Sequence, residues 1–137
     1  MDEQTRRQLA LIREEKALLQ AFEDAHLQLA AAYAAVADAR ESTAKARRRV
    51  EQAERTLAGA RSWRRFWSRS KRVASRQELE TALHELEQAE MELRCEKRNR
   101  RRCEKPSRAA DKALRRFRLV KLVLQVTGCV ETTDSRE

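Results

Sequence analysis

The sequence predicts an all-α fold: a long antiparallel helical hairpin, elongated and coiled-coil in its packing, with a proline-kinked second arm. Three observations predict it. The 137 residues include only two glycines and one proline, and a chain so poor in turn-forming residues has few turns. Charged residues make up 39% and aromatics 4%, a balance that fills a narrow seam between helices rather than a thick globular core. Apolar residues also recur in alternating steps of three and four, as a and d positions do in paired helices.

The first helix is expected over about 5–60. Leu11, Leu18, Ala25, Ala32, Ala39, Ala46, Ala53 and Ala60 are all apolar, eight of eight where 41% apolar content gives about three by chance. Phe22, Leu29, Val36, Thr43, Val50 and Leu57 form the companion series. Gly59 and the segment 61–75 interrupt the pattern. Ser75-Arg76-Gln77-Glu78 then has the form of a capping box, and Leu79, Leu83, Leu86 and Leu93 follow at helical spacing. This second helix is expected over about 76–104. Pro106 lacks the amide donor and breaks or kinks it, and Ser107 caps a third helix over about 107–127. The three valines in 119–126 leave a strand as the alternative there. Gly128 fits a helix stop, and 128–137 reads as a flexible tail after a single domain, 1–127.

Folding the chain back near residue 68 puts Leu57 against Leu79, Ala53 against Leu83 and Val50 against Leu86. Farther along, Phe22 meets Leu114, Leu18 approaches Phe117, and Ile12 faces Leu124. The basic run Lys45, Arg47, Arg48, Arg49 lies across from Glu85, Glu87, Glu90 and Glu92, while Asp38 and Glu41 face 94–102, and Glu23 and Asp24 face Lys112 and Arg115. The alanine-rich stretch 25–39 finds no bulky partner in this pairing, so a homodimer or a helical protein partner is expected to cover it.

Net charge is +9, which points to an anionic partner. The charge is concentrated. Segment 55–77 holds eight basic and no acidic residues, and 94–121 holds thirteen basic and three acidic. The first contains Arg61, Trp63, Arg64, Arg65, Phe66, Trp67, Arg69, Lys71, Arg72 and Arg76, including both tryptophans of the chain. Cations neutralise phosphates and aromatic faces stack on unpaired bases, so this hairpin tip is the leading candidate for nucleic acid. Two other readings stand beside it: Trp at the headgroup level of an anionic membrane surface, and a structural plug of the hairpin end. The second basic run, with Arg98, Arg100, Arg101 and Arg102, reads either as a phosphate-contacting stripe or as charge answered by facing acids. The expected function is therefore sequence-nonspecific nucleic-acid binding by a basic coiled-coil protein. The alternatives are a structural adaptor or oligomerisation protein that binds partner helices, and peripheral membrane attachment by the tip.

Nothing predicts an enzyme, a cofactor or a metal. Cys95, Cys103 and Cys129 match no disulfide or zinc spacing. His26 and His84 stand apart as surface residues, and no glycine-rich phosphate loop occurs. Lys71-Arg72-Val73-Ala74-Ser75 resembles the target of basophilic protein kinases. The Met-Asp-Glu-Gln start carries no apolar signal segment. The most apolar run, 119–130, contains Lys121 and Gln125 and is too short to span a bilayer. The expectation is an intracellular, soluble protein, cytoplasmic or nuclear, without signal peptide or transmembrane segment.

Overall fold

The computed structural model describes residues 1–62 and 68–128, with backbone alone at 60–62. Two helices, α1 (Glu3–Ser62) and α2 (Arg69–Val126), pack against each other as a helical hairpin. No helix among the described residues is long and apolar enough to cross a membrane. The chain divides into two compact units, Met1–Ala31 with Arg101–Glu137, and Ala32–Arg100.

The helix ends have local causes. At the start of α1 the Asp2 carboxylate accepts the Thr5 amide at 2.8 Å, satisfying a donor that the first turn leaves unpaired. Hydrogen bonding from Thr5, its side chain first and then its backbone, holds the Asp2 carboxyl below the usual carboxylate range. The second helix begins at Arg69, not near residue 76, and the hydroxyl of Ser68 accepts the Lys71 amide at 3.3 Å. The capping box at Ser75 is therefore not used. Ser75 lies inside α2 and is buried, out of a kinase's reach. Gly128 ends the helix at φ 75°, in the left-handed region that glycine tolerates, and its amide reaches the carbonyl of Gln125.

The expected division into a second and a third helix at Pro106 is not observed, since Pro106 lies within α2 and Ser107 is buried rather than capping. Pro106 is exposed, and a proline on the solvent side leaves the carbonyl four residues earlier open to water rather than orphaned in a core. The strand alternative at 119–126 is likewise replaced by helix.

In the unit 32–100, the covered positions of α1 include Ala32, Val36, Ala39, Thr43, Ala46, Val50, Ala53 and Leu57, a series in steps of four and three. Across from them α2 covers Arg72, Ser75, Leu79, Ala82, Leu86, Ala89, Leu93, Glu96 and Arg100, again in steps of three and four. Val50, Ala53 and Ala82 form the core cluster, with Leu79 and Leu86 packed on it. The seam runs through Ala82 and leaves Leu83 46% exposed, contrary to the expected Ala53–Leu83 pairing. The expected meeting of Val50 with Leu86 falls within this cluster, and the contact across the seam is displaced at Thr43. The Thr43 hydroxyl donates to Ala39 O at 2.8 Å and to Ala89 O at 3.4 Å, where a fold-back at residue 68 would have put Leu93 opposite. Arg49–Glu85 at 2.9 Å and Arg47–Glu90 at 3.8 Å bear out two of the expected cross-helix pairs. Glu41 instead pairs with Lys45 along its own helix at 3.4 Å. The expected bare alanine face is corrected at its seam positions only, since Ala34 and Ala37 stay exposed. Ala32 and Val36 are each only 2% exposed, because this chain's own α2 covers them.

In the unit built from 1–31 and 101–128, the same steps place Gln8, Leu11, Glu15, Leu18, Phe22, Ala25 and Leu29 on the covered face of α1. Facing them are Cys103, Ser107, Ala110, Leu114, Phe117, Lys121 and Leu124 of α2. Leu114 is buried to 3% exposure and anchors this seam. Ile12, expected to face Leu124, is 56% exposed. Leu11, one residue earlier, holds the seam position, and Glu15 one turn on reaches Lys121 at 2.6 Å and Arg118 at 3.9 Å across the helices. Phe22 stacks obliquely on His26 with ring centroids 4.2 Å apart, and the His26 ring comes within 3.5 Å of the Ser107 hydroxyl. His26 is thus tied to the seam rather than isolated. The acids expected opposite Lys112 and Arg115 do not reach them. Asp24 accepts from Gln20, and Arg115 pairs with Asp111 on its own helix at 3.2 Å.

Candidate nucleic-acid interface

The phase of α2 decides where its cations go. With Cys103, Ser107, Ala110, Leu114 and Phe117 turned to α1, a step of about 100° per residue puts the residues two before or after them on the opposite face. Those are Arg101, Lys105, Arg108, Lys112 and Arg115, in steps of four and three, and all are exposed. Arg102 and Arg116 are exposed beside them. The stripe rises roughly 21 Å along the helix, with a cation at about every turn.

The acids near this stripe are few. Arg108 reaches Glu104 at 4.0 Å and Arg115 reaches Asp111 at 3.2 Å. Among the described residues, Arg101, Arg102, Lys105, Lys112 and Arg116 form no ion pair within 4.0 Å. Exposed pairs of the kind that Arg108 and Arg115 make are worth at most about 1 kcal/mol each, so they yield readily to a stronger anion. A row of hydrated cations on a rigid helix can contact successive phosphates without reading bases.

The sequence-predicted site residues fall in several places. Trp63, Arg64, Arg65, Phe66 and Trp67, the centre of the expected tip, lie outside the described residues, as does the side chain of Arg61. Arg69, Lys71 and Arg76 are exposed in the first turns of α2, and Arg72 is half-buried at a seam position. Arg98 is exposed. Arg100 is half-buried and carries its guanidinium 5.5 Å from the centroid of the Tyr33 ring, a cation–π contact within its own unit. Its position is that of a packing residue. Arg101 and Arg102 belong to the exposed stripe. Arg108, Lys112 and Arg115, absent from the sequence-predicted site, complete it, with Arg116 beside them. Carrying the three-four phase of α2 through Pro106 would have found them.

Among the described residues no three His, Cys, Asp or Glu side chains gather as a metal site. No protein-family model matches this chain, and no curated protein or solved structure does either.

Proposed function

We propose that this protein binds nucleic acid through phosphate contacts, without sequence preference, using the outward stripe Arg101, Lys105, Arg108, Lys112 and Arg115 of α2. The observation that carries the reading is that this exposed face holds a cation at about every turn and, among the described residues, two acid partners. The net charge of +9 favours the same class of partner. The basic segment 61–76 supplies further cations, and Trp63 and Trp67 supply stacking faces for unpaired bases. The unbroken three-four spacing of both seams also supports a left-handed supercoil in each unit, since a 3.5-residue repeat underwinds the helix.

The test is a titration of fluorescent single-stranded RNA and duplex DNA at 50 and 200 mM salt. Wild type loses affinity steeply with salt as counterions are released. Arg101→Gln, Lys105→Gln and Lys112→Gln together weaken binding to both. On duplex, the slope of log K against log salt falls by about three times 0.9, with helicity unchanged. A triple variant that binds as tightly as wild type, with the same salt slope, removes the stripe from the interface.

A further inference from the structure

The outer face of α2 changes character after Arg116. Leu119 is 62% exposed, Val120 56%, Leu122 56%, Val123 53% and Val126 80%. At 100° per residue these five span an arc of about 160°, centred opposite the seam that Leu114, Phe117, Lys121 and Leu124 form with α1. Lys112, Arg115 and Arg116 fall in the same arc one to two turns earlier, and all three are exposed. Large apolar side chains that face water this densely mark an interaction surface.

Two properties select the occupant. The arc is broad and convex, wider than the stripe of roughly 100° that one packed helix covers, so a single partner helix leaves part of it in water. The five side chains expose roughly 500 Å², short of the ~800 Å² per partner of a standard protein interface. Cations directly adjoin the apolar end, and an anionic lipid surface meets both needs at once. Acyl chains envelop a convex face without requiring a complementary shape, and phosphates meet flanking arginines.

We propose that the C-terminal end of α2 is a docking surface for anionic phospholipid membranes. Leu119, Leu122, Val123 and Val126 enter the headgroup–acyl boundary side-on, and Lys112, Arg115 and Arg116 sit at the phosphates. The site lies within one unit of the molecule; it shares Lys112 and Arg115 with the nucleic-acid stripe, while its apolar residues lie outside that stripe.

The experiment is flotation of the full-length chain with vesicles of phosphatidylcholine alone or with one-third phosphatidylserine. Wild type floats with the anionic vesicles and stays behind with the neutral ones. Leu119→Asn with Val123→Asn and Val126→Asn lowers the floating fraction at least tenfold, while helicity by circular dichroism and RNA affinity stay as in wild type. An independent readout is Val123→Trp in a Trp63→Phe, Trp67→Phe background, whose emission shifts blue on anionic vesicles only. Four results overturn the proposal. One is equal flotation by the asparagine variant, with loss instead in Trp63→Ala, Trp67→Ala. Another is no flotation at all and no blue shift. The third is a concentration-dependent dimer, abolished by the asparagine changes, in a chain that ignores vesicles, since a second copy then covers the face. The last is flotation only after truncation behind Gly128, since the chain's own end then covers it.

Discussion

The two units solve the same packing problem with different side chains. In 32–100 the α1 side of the seam is Ala, Val and Thr, nearly all of it buried, apart from the half-buried Leu57 at its end. In 1–31 with 101–128 the seam holds Leu11, Leu18, Phe22, Phe117 and Leu124, all only half-buried, with Leu114 and Ser107 fully covered. A small side chain is covered completely by the neighbours above and across from it. Most of the large ones in this two-helix seam keep a flank in water, Leu114 being the exception. Size and burial therefore run opposite to what a globular core leads one to expect. The second unit compensates with a charged pair in the seam, where Glu15 and Lys121 keep 29% and 28% of their side-chain surface exposed.

That contrast can be broken experimentally. The largest effect belongs to Leu114→Ala, which removes the large side chain buried among the described residues of its unit. The expected loss is about 2–4 kcal/mol, toward the low end of core truncations because water can enter the half-open seam, read as a drop in the urea midpoint. Ala46→Leu probes the other unit. Two extra branches in a seam of small residues overpack it, and a loss of about 1–3 kcal/mol is expected, whereas Leu11→Ile, in the looser seam, stays within about 1 kcal/mol. If Ala46→Leu stabilises the protein, the tight seam does not exist. The smallest effect is that of the seam charges. A double-mutant cycle with Glu15→Gln and Lys121→Met should give a coupling of about 0.5–1 kcal/mol, reduced at high salt because both groups remain partly hydrated.

The α1 half of the fold was legible because a single heptad phase runs from Leu11 to Leu57 and every seam residue obeys it. The α2 half was read less well, for a physical reason. Local signals there point against the long-range phase. A serine with a glutamate three residues on looked like a cap, and a proline looked like a stop. Yet Ser75 and Ser107 sit at covered positions of the same repeat, and Pro106 sits in solvent, where its missing amide costs least. Leu83 drew the pairing one residue off because it is large, although Ala82 has the correct phase. The charged stripe suffered from the same break. Arg101 and Arg102 were found, and the cations beyond Pro106 were not, since a helix assumed to end cannot extend a face. The aromatic tip was read from residue types alone, and 63–67 lie outside the described residues.

The hairpin also carries an order of events. Arg49 and Glu85 are 36 residues apart along the chain, and Lys121 and Glu15 are 106 apart. Closing the longer separation costs about 1 kcal/mol more chain entropy when each pair is formed from the open chain. The alanine seam, with the shorter separation, is therefore the cheap place to begin, and each later helical turn zips onto a strip already ordered. The termini close last and reopen first. Amide hydrogens near Leu11 and Leu124 should exchange ahead of those near Val50 and Ala82, a gradient in time written along a molecule whose repeat barely changes.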